Sequence, residues 1–284
     1  MATNYSIGLD LQGLVKKVYK TLQYESSFYK MLNDAYIGEV RNTGTPMIEV
    51  LNSNALTINV RQTEEIANAL TPTLATYTPV KVDLTELPMD YSVRVPVLVM
   101  GSGVENAIAD AIDQKNSGVA KAIDTYGFGK LATDVVGEGL WDPQDQAGYI
   151  TALNNLKATL FNKNVYEGYR LGLSATEYAN LVSALTSILK YETMTGVEGV
   201  DRGIVASAYG IEIFPINDNY LSGEIGYFFN PVAVVGDTFF DSFVQYNGNY
   251  PGFPGYFVIE GNIMFGAEVV KQDAIVKLVE TLSA

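Results

Sequence analysis

The strongest constraint on this sequence is a helical pattern that runs from Val104 to about Leu131. At about 1.5 Å per residue, such a helix is about 40 Å long. Gly118 lies inside it and is expected to weaken or bend it. The chain has 284 residues, which is enough for one elaborate domain or two modest ones. The apolar residues of the pattern recur at three- and four-residue steps: Val104, Ala107, Ile108, Ala111, Ile112, Val119, Ile123 and Tyr126.

The region before this helix is predicted to hold an arm, a helix and then a long segment, residues 35–82, with little core of its own. Residues 1–11 are predicted to be an extended arm, and residues 12–34 carry a helical pattern in two stretches. Residues 35–82 contain turn chemistry and short segments that favour strands. An insertion this long is unusual inside a compact domain, so we expect it to lie on a neighbouring subunit. The predicted strands of this part are Met47–Leu51, Leu56–Arg61, Thr76–Val82 and Tyr91–Met100, with Pro96 indicating an edge or a bulge.

The region after the long helix alternates helices and strands and then becomes rich in strands. An amphipathic helix is predicted over Ile150–Asn162, and Ser174 to Glu177 forms a capping box that opens a helix over Glu177–Leu189. The last third is predicted to hold a hairpin with a nine-residue turn at 247–255. The predicted strands are Tyr169–Leu173, Gly203–Ala206, Ile211–Pro215, Gly226–Val235 (a strand pair or a bulged strand), Thr238–Tyr246, Tyr256–Val270 and 273–280.

Composition argues against several classes of function. The chain has no cysteine and no histidine, which excludes disulfides and thiolate metal sites and lowers the expectation of a hydrolase or metalloenzyme. Its formal charge is −14, without the basic run typical of duplex-binding proteins. The acidity serves solubility, or suits a container wall that does not adhere to packed nucleic acid. The sequence shows neither a signal-peptide pattern nor an apolar run long enough to span a membrane, and predicts a soluble protein.

One motif suggests nucleotide binding. Gly101-Ser102-Gly103 follows a predicted strand and opens the long helix, as a dinucleotide-binding turn does. Asn106 stands where a third glycine belongs, and Asp124 lies on the same helix and not at the end of a second strand. A glycine turn that starts a helix, with Ser102 as its cap, is the better interpretation.

Other candidate sites are weaker. The acidic groups named at the end of this paragraph lack the spacing of a calcium loop and indicate solvated turns or helix caps. Weak binding of a cation at the surface is also compatible with them. No serine has an activating partner, so no catalytic residue is predicted. The aromatic residues between Tyr227 and Phe257 lack interleaved basic residues, which favours packing over base stacking. The acidic groups are Asp83, Glu86 and Asp90; Asp142 and Asp145; Asp218 and Asp241.

The order of these elements resembles the major capsid proteins of tailed bacteriophages, whose fold is shared by herpesvirus shell floors and encapsulins. A "Y-x-G-E" stretch followed by glycine and isoleucine stands at Tyr36, Gly38, Glu39, Gly44 and Ile48. The helix, variable loop, strand and Ser-led helix between Ile150 and Val182 are similar to the family's most specific part. GIVASAYGIEIFPINDNYL and NIMFGAEVVKQDAIVKL are similar to its later segments.

The resemblance implies an α+β fold with four parts. These are an N-terminal arm and helix (1–36), an extended β loop (37–82), a peripheral domain with a long spine helix (83–143 and 238–268), and an axial α/β domain (144–237 and 269–284). It also implies no enzyme activity, no cofactor and no metal. The residues we expect at subunit interfaces are Glu39, Arg41, Arg61, Glu64, Glu65, Tyr250 and Phe253.

As a family member, the chain would self-assemble into hexamers and pentamers that form an icosahedral head shell around double-stranded DNA, without sequence-specific contact. It would be built in the host cytoplasm, end in the virion, and work with a portal and possible decoration proteins. Residues 42–80 contain no lysine, so a lysine–asparagine cross-link is not expected there. The chain begins almost directly at the arm, which implies a separate scaffolding protein. An encapsulin-type compartment is the main alternative, and a nucleotide-binding enzyme is a distant one.

Overall fold

The computed structural model describes residues 11–37, 41–42, 46–53, 77–96, 104–185 and 206–281. Within these ranges the chain forms four α-helices and twelve strands. The helices are α1 (Leu11–Glu25), α2 (Val104–Asp134), α3 (Gln146–Phe161) and α4 (Ala175–Ala184). The strands are β1 (Arg41–Asn42), β2 (Pro46–Ser53), β3 (Tyr77–Asp83), β4 (Leu87–Pro96), β5 (Glu138–Leu140), β6 (Tyr169–Ser174), β7 (Ala206–Ala208), β8 (Ile211–Ile216), β9 (Gly226–Phe229), β10 (Val234–Tyr250), β11 (Phe253–Val269) and β12 (Ile275–Val279). The α+β class is confirmed.

The strands build three sheets. A six-stranded sheet has the order β5-β12-β9-β6-β8-β7, and a three-stranded sheet has the order β10-β11-β4. A second three-stranded sheet, β1-β2-β3, is entirely antiparallel, and we call it the loop sheet. In the six-stranded sheet β5, β12, β6 and β8 all run in one direction, because β9 pairs antiparallel with both β12 and β6.

One large hydrophobic core joins α1, α2, α3, α4, the six-stranded sheet and the β10-β11-β4 sheet. We call this part the body. Helix α2 packs on β4 and α1, and Phe128 on α2 stacks against Tyr220 and Tyr227 beside the six-stranded sheet. The helix is continuous from Val104 to Asp134, so Gly118 does not interrupt it. The long spine helix is therefore the element that connects the two larger sheets.

The predicted hairpin is confirmed, but its turn is much shorter than nine residues. Strand β10 continues to Tyr250, β11 begins at Phe253, and Tyr250 pairs with Phe253 across the turn. Gly252 has a φ of 87°, which a glycine adopts without strain. Asn and Gly in 247–255 are weak strand formers, but pairing along a 17-residue partner outweighs their local preference. Pro96 ends an edge strand, as the sequence predicted.

Three other predicted boundaries need correction. The helical pattern beyond α1 forms only short 3-10 turns at Tyr29–Met31 and Asp34–Tyr36. The segment Gly226–Val235 is two strands, separated by a 3-10 turn at Pro231–Ala233. The last strand begins at Ile275 after a similar turn at Gln272–Ala274. The predicted strand at Leu56–Arg61 and the arm at 1–10 lie outside the described residues.

Candidate subunit interface

The spine helix is held in the body by a buried carboxylate. Asp124 accepts hydrogen bonds from the Ser26 hydroxyl at 2.5 Å, from the Phe28 backbone N–H at 2.9 Å and from the Ser27 backbone N–H at 3.2 Å. These bonds fix the chain where α1 has just ended. Burial raises the pKa of Asp124, while the three hydrogen bonds and Lys30 oppose that rise. Asp124 is thus a structural anchor and not a ribose-binding acid.

Two basic residues fasten other parts of the body. Lys130 on α2 binds Glu86 at 2.7 Å and Glu268 at 2.6 Å, which joins the helix to the start of β4 and the end of β11. Glu86, predicted to be a solvated turn residue, is therefore an ion-pair partner, because α2 brings Lys130 beside it. Arg170 on β6 binds Glu212 at 2.8 Å and donates to the Lys30 carbonyl at 2.7 Å. It connects the segment after α1 to the six-stranded sheet.

The other predicted turn and cap acids behave mostly as expected. Asp145 accepts from the Gly148 N–H at the start of α3, and Asp218 accepts from Ala175 and Thr176 at the start of α4. Hydrogen bonds from Thr85 lower the pKa of Asp83, and hydrogen bonds led by that of Thr176 lower the pKa of Asp218. Among the described residues, no three acidic side chains are placed to hold a metal ion.

The capping box at α4 is only half formed. The Ser174 hydroxyl accepts from the Glu177 N–H at 3.2 Å, as predicted. The Glu177 carboxylate does not return to Ser174, whose N–H donates instead to the Ile225 carbonyl. Glu177 accepts from the indole of Trp141 at 3.0 Å and the hydroxyl of Tyr149 at 2.8 Å. The Glu177 side chain therefore bonds to Trp141 and Tyr149, which are distant in sequence, and does not complete the capping box.

The loop sheet has a separate and small core of five buried residues: Ile48, Val50, Val82, Leu84 and Val235. Only Val235 comes from outside the loop sheet and the turn that follows it, on strand β10. At its base, a Cβ at Gly266 of β11 would overlap the Asp83 carbonyl, so the backbones meet there without room for a side chain. The loop sheet is therefore joined to the body at its base, where Tyr36, Phe239 and Val270 also pack against its small core.

The predicted interface residues fall in two groups. The backbone of Arg41 lies in β1 of the loop sheet, and the backbones of Tyr250 and Phe253 pair at the tip of the β10–β11 hairpin. Glu39, Arg61, Glu64 and Glu65 lie outside the described residues, as does the glycine turn at 101–103. The two described locations are thus the loop sheet and the hairpin tip.

Sequence reasoning missed a second group of exposed residues, at one end of the six-stranded sheet. We call this end the amino end, because β5, β6, β8 and β12 begin there; its connections are 135–137, 162–168, 209–210, 230–233 and 270–274. Five of the seven large apolar side chains that are exposed among the described residues lie at it: Val136, Phe161, Tyr166, Tyr209 and Val232.

The amino end is continuous in space. Phe161 and Tyr166 form an edge-to-face pair with ring centroids 4.9 Å apart. Lys157, one turn before Phe161 on α3, donates to the Tyr209 carbonyl at 2.9 Å. Asn230 donates to the Glu167 carbonyl at 2.6 Å, which connects Val232 to the same region. One signal was available in the sequence, because Phe161 lies outside the Ile150–Leu160 apolar stripe of α3.

The opposite, carboxyl end of the sheet has a different character. Among the described residues, its connections are 141–145, 174–177, 217–225 and 280–281, and these contain no lysine or arginine. The connection into β7, which contains Lys190 and Arg202, lies outside the described residues. The described connections carry the carboxylates Asp142, Asp145, Glu177, Asp218, Glu224 and Glu280. Within the part of the chain that the structure describes, five large exposed apolar side chains thus lie at the amino end and six carboxylates at the carboxyl end, where Leu140 at the end of β5 is also exposed.

Within the described residues, no helix combines the length and the apolar character that crossing a bilayer requires. No family model matches the sequence. No curated protein matches it by sequence similarity either. The likeness that remains is one of fold.

Three solved structures share this fold over most of their length. A chain from Mycobacterium phage Che8 matches at a TM-score of 0.57 and 18% identity, covering 91% of this chain and 92% of its own. The capsid of cyanophage P-SCSP1u matches at 0.57 and 15% identity, covering 86% and 85%. A virus-like particle from Pyrococcus furiosus matches at 0.50 and 13% identity, covering 94% and 98%. The chain therefore has the fold of phage capsid subunits.

Proposed function

We propose that this chain is the major capsid protein of a tailed bacteriophage, a wall subunit of the icosahedral head that encloses double-stranded DNA. The observation that carries the proposal is the match of nearly the whole chain to nearly the whole length of phage capsid subunits. At 15% to 18% identity that match establishes the fold alone, so the function rests on the fold together with the features below.

A shell subunit works through its contacts with copies of itself. Heterologous contacts between subunits close into rings, and modest contacts add up because each subunit has several neighbours. A loop sheet with only a small core, joined to the body at its base, suits contact with an adjacent subunit. We assign the residues at the loop and the hairpin tip to such contacts: Glu39, Arg41, Arg61, Glu64, Glu65, Tyr250 and Phe253.

The charge of the chain fits a wall that encloses DNA without binding it tightly. At a formal charge of −14 and without a basic run, the chain offers few groups that neutralise phosphates. The remaining partners in this proposal are a separate scaffolding protein, a portal and possible decoration proteins. The shell would be assembled in the host cytoplasm, work without catalysis, and be held by packing, since residues 42–80 hold no lysine for a cross-link.

The four-part division that the resemblance implies belongs to the same proposal. The arm and extended loop would reach neighbours, the spine helix and the β10-β11-β4 sheet would form the peripheral domain, and the six-stranded sheet the axial domain. We expect residues 37–82 to clasp the adjacent subunit. Deleting residues 52–74 should abolish closed shells in electron micrographs while the monomer keeps its helical circular dichroism. Normal closed shells from the deletion variant would contradict the clasp.

The function itself is tested by producing the chain with its neighbouring genes and examining the product by sedimentation velocity and negative-stain microscopy. We expect closed particles of uniform diameter. A monodisperse monomer or small oligomer, under conditions where a known phage coat protein assembles with its scaffold, would contradict the proposal.

An encapsulin-type compartment is the second candidate, favoured by the similarity to the Pyrococcus furiosus virus-like particle. The contents of purified particles distinguish the two. Double-stranded DNA, together with portal and terminase genes near the coding sequence, indicates a phage head. A single enclosed protein species, with no nucleic acid, indicates a compartment.

A further inference from the structure

The two ends of the six-stranded sheet differ in a way that the proposed shell function does not by itself explain. At the amino end, Val136 is 79% exposed, Tyr166 60% and Phe161 55%. Large apolar side chains gathered on a surface, with polar groups around them, mark a protein contact more often than chance exposure does. This end is therefore the part of the described surface best suited to being covered.

The charges around the amino end are balanced. Lys157, Lys163 and Lys271 lie in or beside its connections, together with Asp134, Glu167 and Asp273. The Lys163 ammonium group lies beside Gly137 and hence next to Val136, since a Cβ at Gly137 would be 3.7 Å from Lys163 Nζ. An apolar centre with charged groups at its rim is the usual composition of a protein–protein interface.

The described connections of the carboxyl end carry six carboxylates and no cation. Two carboxyl ends placed face to face would repel each other, because like charges across an interface cost free energy. A carboxyl end placed against an amino end avoids this repulsion, because the charges of the amino end are balanced, and its carboxylates then lie near the lysines of the amino end. Charge thus disfavours one symmetric pairing and favours a pairing of unlike ends.

From these observations we propose that the amino end of one subunit docks against the carboxyl end of a second copy of this chain. The inference rests on the proposed function and specifies one of its contacts. The two surfaces lie at opposite ends of one sheet, and α3 runs between them over 16 residues, about 24 Å. A contact between two different surfaces of the same chain is heterologous, and such contacts close into hexamers or pentamers when the rotation between neighbouring copies divides a full turn.

The absence of cysteine allows a direct test by site-specific cross-linking. Asn162→Cys is placed at the amino end and Gln144→Cys at the carboxyl end; both side chains are exposed, and neither is one of the apolar or charged groups that make the contact. Assembled particles of the double variant, treated with a short bis-maleimide, should give a covalent ladder beyond the dimer. Each single variant should stay monomeric.

Particles of the double variant that give only monomers would overturn the inference. Dimers from Asn162→Cys alone, as abundant as from the double variant, would also overturn it, because they indicate symmetric contact between amino ends. Failure of the unaltered chain to form particles would instead contradict the proposed function.

A second measurement covers the case in which the cysteine variants do not assemble. Phe161→Ser with Tyr166→Ser should lower the yield of particles at least about tenfold, because a few aromatic side chains carry most of the binding free energy of a protein interface. The matched control is Val244→Ser, an exposed apolar residue on the β10–β11 hairpin, away from both sheet ends. Equal yields from the double serine variant and the control would contradict the contact.

Discussion

The body and the loop sheet are built from similar strands but are stabilised differently. The body shares one core that runs from α1 through the spine helix to both larger sheets. Among the described residues, the loop sheet and the turn after it bury Ile48, Val50, Val82 and Leu84 against Val235 of β10, with four further side chains partly buried around them: Tyr36, Val80, Phe239 and Val270. Because buried apolar area is the main source of stability, the body is self-sufficient and the loop sheet is not. This difference is expected of a subunit whose body folds alone and whose loop sheet is stabilised by contact with a neighbouring subunit.

The largest expected difference between the two regions comes from one substitution made in each. Ile213→Ala in β8 should lower the free energy of unfolding of the whole body by about 2–5 kcal/mol, because Ile213 is fully buried. Ile48→Ala should cost less and act locally, because the loop sheet opens without the body. Urea unfolding with hydrogen-exchange mass spectrometry separates the two effects. Equal global losses would show that the loop sheet and the body unfold together.

The next largest loss of stability is expected where the spine helix packs against the segment after α1. A Cβ at Gly127 would overlap the Phe28 ring, which is held between Phe128 and Phe265. We expect Gly127→Ala to destabilise the body by about 1–3 kcal/mol. Gly129→Ala, two residues away with no atom within 4 Å of its Cβ, is the control and should not destabilise. A neutral Gly127→Ala would mean that this junction is loosely packed.

The buried Asp124 makes the body sensitive to pH. In the folded chain the pKa of Asp124 is raised, so the ionised carboxylate lowers the free energy of unfolding at neutral pH. This loss disappears as the pH falls through the folded pKa toward the unfolded pKa of about 3.9. The stability of the natural chain relative to Asp124→Asn should therefore increase from pH 7 to pH 4. Thermal unfolding of both proteins across that range tests this, and a constant difference would contradict it.

The smallest effect concerns the spine helix itself. Gly118 is exposed, and a Cβ there meets nothing within 4 Å. Gly118→Ala should raise the free energy of unfolding by up to about 1 kcal/mol. If Gly118 also lets the helix bend while a shell matures, the variant should expand more slowly than the natural chain. Normal expansion would leave Gly118 with no role in bending.

Sequence periodicity was sufficient for the elements whose signals are local. The spine helix, α3, β6 and the Ser174 cap of α4 lie close to their predicted positions, because apolar spacing and capping act within a few residues. Features set by distant partners could not be predicted in this way. The end of α1 depends on Asp124, 98 residues after Ser26, and the short hairpin turn depends on pairing along β11.

The candidate interface was predictable only in part. Arg41, Tyr250 and Phe253 were proposed because a loop and a turn without core material suggest contact with neighbours. The amino end of the six-stranded sheet was missed, since its five exposed residues come from separate connections. Only strand order and direction bring Val136, Tyr166 and Val232 to one end.

Electron cryo-microscopy of particles purified from co-expression of the chain with its neighbouring genes tests the central claim most directly. The account predicts closed icosahedral shells of hexamers and pentamers, in which each loop sheet lies on the adjacent subunit. Shells in which the loop sheet contacts only its own body would contradict the division between body and loop sheet. A chain that stays monomeric alongside those genes would contradict the assignment as a capsid subunit.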